Sequence, residues 1–120
     1  MAKTGVSLLG AKYVGGFTAR PCGGKLVFSD EKIEIPKGLL SKGMWIKTPA
    51  VTKVVLGSQA GDVHTLTKGY TVGGGDEATL EVHTQSGGCG YFTVSDSPIK
   101  VKAALASWLA SHNIELVAAA

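Results

Sequence analysis

The stretch from Thr79 to Ala110 constrains the fold most, because its hydrophobic period changes once, from 2 to 3.6. Thr79-Leu80-Glu81-Val82-His83-Thr84 alternates, with Leu80 and Val82 on one face and Glu81 and His83 on the other. Gln85-Ser86-Gly87-Gly88 reads as a turn, and Cys89-Gly90-Tyr91-Phe92-Thr93-Val94 as the returning strand. Ser97 then suits a helix N-cap and Pro98 the first helical position, where no amide donor is needed. Val101, Leu105, Trp108 and Leu109 follow at i, i+4, i+7 and i+8, one apolar stripe down a helix. Burying each of those side chains is worth roughly 1.5–3 kcal/mol, so the stripe needs an apolar surface to sit on. Ser111-His112-Asn113 reads as the helix stop, since Asn tolerates a left-handed backbone.

The rest of the chain supplies sheet. Ala11–Phe17 reads as a first strand interrupted by Gly15-Gly16, and residues 1–10 as a lead-in to a single domain over 11–120. Arg20–Gly24 reads as a loop. Lys25–Phe28 and Lys32–Ile35 flank Ser29-Asp30-Glu31 as a hairpin. Gly43–Lys47 and Val51–Gly57 are further strands, and Val63–Thr67 a candidate one before a Gly-rich loop. Ile114–Val117 is an apolar coda suited to an edge strand or to covering the end of a barrel. The expected fold class is therefore mainly β with one C-terminal α-helix, an antiparallel roll or barrel of two packed sheets capped by that helix. With nothing helical between the strands, a parallel βαβ sheet is not expected.

Charge is uneven. Residues 1–60 carry nine Lys or Arg against three acids, and residues 61–120 three against six, giving +6 and −3. The basic half could face an anionic partner, but its cations come singly and read first as solvated strand faces and loops. No apolar run approaches the roughly 18 residues of a membrane span, and the first residues lack a signal-peptide core, so a cytoplasmic location is expected. Cys22 and Cys89 fit ordinary unpaired residues of a reducing compartment.

Catalytic and metal signatures are missing from the sequence. His64, His83 and His112 fall in no CxxC, HxH or HExxH pattern, although His64 and His83 with Cys22 or Cys89 are the set from which a zinc site would be drawn. Gly73-Gly74-Gly75 is followed by Asp76-Glu77, which would repel a phosphate, and so is no P-loop. No catalytic residue, cofactor or metal is expected, and the chain does not read as an enzyme. Trp45, Tyr13, Phe28 and Phe92 read as core, while Glu31 and Glu34 read as solubilising.

Tyr13-Val14-Gly15-Gly16 ahead of the Gly24–Ile35 hairpin resembles the opening of bacterial pleckstrin-homology-like (PH-like) domains. Val51–Gly57 resembles their mid-domain strand. The Leu80-Glu81-Val82 and Tyr91-Phe92-Thr93-Val94 hairpin, with its helix ending in Trp108-Leu109, is similar to their close. The resemblance covers residues 11–110 and implies two roughly orthogonal sheets capped by the helix, in a scaffold for lipids, peptides or proteins. Phosphoinositide-binding members carry a basic pattern across the first hairpin. Lys12, Arg20 and Lys25 lie in that region, but Pro21-Cys22 stands where the second basic residue of the close pair belongs.

The expected function is thus a non-catalytic binding module. A protein or peptide is its first-choice partner, a lipid headgroup the second, and pairing with its own copy the third. Arg20, Lys25, His64, Lys68 and Tyr70 are the expected contact residues, being polar or aromatic residues of loops and strand ends. The alternative is a small β protein that binds nucleic acid or another anion; the modest net charge of +3 and the lack of a dense aromatic platform weigh against nucleic acid. A small Cys/His metal protein or enzyme comes last.

Overall fold

A computed structural model describes residues 5–17, 22–38, 43–58, 64–65, 71–72 and 77–118. The strands are β1 (Val6–Gly15), β2 (Cys22–Phe28), β3 (Lys32–Ile35), β4 (Met44–Lys47), β5 (Val51–Ser58), β6 (His64–Thr65), β7 (Thr71–Val72), β8 (Ala78–Thr84), β9 (Cys89–Val94) and β10 (Glu115–Ala118). The helix α1 (Pro98–Ser111) lies between β9 and β10. Eight strands form one mixed sheet in the order β10-β5-β8-β9-β1-β2-β3-β4, and β6 pairs with β7 separately. The chain is mainly β with one C-terminal helix, as expected. The larger sheet is mixed where an antiparallel one is expected, and among the described residues it does not close.

Two further expectations are corrected. The strand at the start begins at Val6, not Ala11, and it carries Leu8 into the core. Its length is used twice, because β1 pairs with β2 along one edge and β9 along the other. Each pairing contains an irregularity, between Leu8 and Ala11 and between Tyr13 and Gly15, which bends the strand and adds twist. The coda after the helix is an edge strand, but it runs parallel to β5, with Glu115 opposite Lys53 and Ala118 opposite Leu56. A helix between β9 and β10 supplies the crossover that a parallel pair needs.

The helical stripe behaves as its spacing dictates. Val101, Leu105, Trp108 and Leu109 are all buried, and α1 packs on β1, β5, β8 and β10. Core-facing residues of the sheet meet it, among them Tyr13, Leu26, Phe28, Ile33, Val54, Leu80, Val82 and Phe92. Asn113 takes φ 54°, the left-handed stop. At the other end the Ser97 hydroxyl accepts a hydrogen bond from the Lys100 N–H at 3.4 Å. That bond is long, so Ser97→Ala should cost about 0.5 kcal/mol, the low end for an N-cap, read as a shift in the urea midpoint. A loss above about 2 kcal/mol would show that Ser97 holds more than the cap.

Candidate functional site

Strand pairing sorts the outward side chains of β1 to β4 into rows. Val27 stands opposite Glu34, and Glu34 opposite Trp45. In the next row Lys32 stands opposite Lys47. Ile33 faces Ile46 and Ile35 faces Met44 on the inner side, so the alternation turns Trp45 out. Trp45 is 60% exposed, which corrects the expectation that it is core. Lys25 lies beyond Val27 on the same outer face, with Leu26 and Phe28 turned in. Leu9, within the β1 irregularity between Leu8 and Ala11, is 73% exposed. The Lys32 ammonium meets the Glu34 carboxylate at 3.5 Å, the one acid of this group. The result is an outer face with two exposed apolar side chains and a surplus of cations.

Of the expected contact residues, Lys25 falls within this face. His64 is in β6, its backbone paired with Val72, well along the chain from β4. Arg20, Lys68 and Tyr70 lie outside the described residues. Lys32, Trp45 and Lys47 share this face, and the sequence reading singled out none of them for it. The alternation of Lys32-Ile33-Glu34-Ile35 gives the two faces of β3, and the register of β4 against it decides that Trp45 and Lys47 turn outward.

A second cluster lies on the outer face of β8 and β9. His83 stands directly across from Cys89, and Glu81 is two residues before His83 on the same side. The His83 Nε2 is 3.3 Å from Glu81 Oε1 and 3.5 Å from Cys89 Sγ. Cys89 packs with Tyr91 and Val14 and is buried, while the Glu81 side chain is 14% exposed and that of His83 29%. A nucleophile–base–acid relay places thiol and carboxylate on opposite ring nitrogens, so that the base can be oriented while it takes a proton. Here both converge on one nitrogen, which is the geometry of shared hydrogen bonding or of shared coordination.

The third histidine, His112, closes the helix and meets the Asp30 carboxylate at 3.0 Å, stitching the β2–β3 turn to the C-terminal end of α1. Cys22 and Cys89 are not joined by a disulfide. Among the described residues no helix is long and apolar enough to cross a membrane. No family model matches this chain, and no curated protein does.

Proposed function

We propose that this chain is a non-catalytic binding module of the PH-like type, which takes an extended acidic segment of a protein partner along the edge of β4. The carrying observation is the exposed Trp45 on a terminal strand, beside Lys32 and Lys47 and on the face that holds Lys25. Among the described residues β4 has a strand neighbour on one side only. An added strand would draw affinity from the backbone groups of that edge and selectivity from alternate side chains, with Trp45 as the aromatic anchor. The lysines favour carboxylates on the incoming segment. The other terminal strand, β10, begins with Glu115 and offers no comparable aromatic.

The PH-like reading rests on the chain order. A four-strand meander is followed by the β5, β8 and β9 strands and then by a helix whose stripe lies on the core face.

Trp45 fluorescence tests the site, because the second tryptophan, Trp108, is fully buried. A glutamate-rich peptide should shield Trp45 from acrylamide quenching, and the pair Lys32→Glu and Lys47→Glu should weaken it about tenfold, or about 1.4 kcal/mol. Shielding by anionic phospholipid vesicles and not by the peptide would replace the peptide with a lipid surface. Shielding that rises with protein concentration alone, alongside a doubled mass by light scattering, would replace it with a second copy.

A further inference from the structure

We infer that Glu81, His83 and Cys89 form a binding site for a divalent, borderline-soft transition metal, of which Zn2+ is the type. Sequence spacing alone argued against any metal, because E-x-H followed by a cysteine beyond a turn is no recognised signature. Strand pairing brings the three together, with their ligand atoms all within 4.8 Å of one another.

The distances match coordination edges. Zinc sits about 2.0–2.2 Å from nitrogen or oxygen and about 2.3 Å from sulfur, so a tetrahedral pair of ligands is separated by roughly 3.3–3.6 Å. The oxygen-to-nitrogen edge here is 3.3 Å and the sulfur-to-nitrogen edge 3.5 Å. Both edges share Nε2, and the carboxylate oxygen and the thiol sulfur lie within 4.8 Å of one another, so small side-chain adjustments let all three reach one centre. A relay would not produce that convergence, whereas shared coordination of one metal would.

The donors are also mounted for the task. All three stand on the paired strands β8 and β9, so capture needs side-chain adjustment and little movement of the backbone. Their partial burial limits competition from water, and the mixed S, N and O donors suit zinc better than the all-oxygen preference of Mg2+ or Ca2+. On binding, the Cys89 thiol releases its proton to solvent as the S–metal bond forms. Lys53, across from His83 on β5, is the cation nearest in register and opposes the charge of the metal. Three protein donors leave a fourth position for water or a partner's ligand. The site lies on different strands from the β4 edge, so the two proposals stand or fall separately.

Chelator-treated protein titrated with Co2+ alone should take up one equivalent and show a thiolate-to-cobalt charge-transfer band in the near ultraviolet. Zn2+ should then displace the cobalt and raise the melting temperature. Cys89→Ser should abolish the band and Cys22→Ser should keep it. His83→Asn should weaken zinc on the order of 100-fold, at least as much as losing a supporting partner does. Failure of the wild type to bind stoichiometrically, or a band that survives Cys89→Ser, overturns the assignment. If Cys89→Ser does not fold, His83→Asn and Glu81→Gln decide, and unchanged affinity in both overturns it as well.

Discussion

Trp108→Ala should lose about 3–5 kcal/mol of folding stability, more than any other single truncation in the helix. The ring is fully buried where α1 meets the sheet. It stacks edge-on against Phe28, centroids 5.1 Å apart, and lies 4.9 Å from the His112 ring. Its indole N–H donates to the Ser29 carbonyl at 3.0 Å, which ties the helix to the turn between β2 and β3. Alanine removes the ring, leaves a cavity and deletes that bond together. Ser29 keeps a second donor, the Thr48 hydroxyl at 2.9 Å, so its carbonyl is not orphaned. Trp108→Phe should therefore cost about 0.5–1.5 kcal/mol beyond the lost ring volume, because only one net hydrogen bond goes. Lys102→Ala, on the exposed side of α1, should move stability by less than about 0.5 kcal/mol. Urea midpoints at constant m-value make the comparison, and equal midpoints for Trp108→Ala and Lys102→Ala would show that the stripe does not face the core.

Much of this arrangement is legible in the sequence. The helix was legible because its signals agree: a capping Ser97, Pro98, a stripe at 3.6 spacing and Asn113 as the stop. Trp45 was not, because Met44-Trp45-Ile46-Lys47 has no alternation of its own and an aromatic among apolar neighbours defaults to core. Its direction is fixed by pairing with β3, a partner that local pattern does not name. The parallel placement of β10 has the same origin, since a chain leaving a helix can return to either edge.

The Glu81–His83–Cys89 cluster turned on a single residue of turn length. Gln85–Gly88 read as a four-residue turn would set Cys89 opposite Thr84. In the structure the Thr84 N–H donates to the Gly88 carbonyl at 2.9 Å, so the loop is one residue shorter and Cys89 faces His83. A one-residue slip moves every side chain of a strand to its other face, and here it moves a thiol from the Thr84 side to the imidazole. The sequence holds both residues plainly but leaves their register open.

Gly43→Ala should cost about 3 kcal/mol, the top of the range for a non-glycine residue held in a sparsely populated backbone region. Gly43 sits at φ 68° just before β4, where an added Cβ would press on the Ile35 carbonyl oxygen and come within 2.8 Å of the Lys37 nitrogen and 2.9 Å of the Pro36 carbonyl carbon. All three atoms are backbone, so no side chain can swing aside. Gly87 provides the reference, because it also has positive φ, 89°, yet an added Cβ there meets nothing within 4 Å. Gly87→Ala should thus lose only about 1–2 kcal/mol, the conformational penalty alone. The difference between the two variants isolates the collision, and its relief requires the β3–β4 connection to open. Because the Ile35–Met44 pair begins the pairing of β4, opening it should also unseat Trp45 and weaken the acidic-peptide response of folded Gly43→Ala, while Gly87→Ala keeps it. Equal stability losses in the two variants would show that the backbone around Gly43 yields freely. A Gly43→Ala protein that binds the peptide as tightly as wild type would show that the registered edge of β4 is not what holds it.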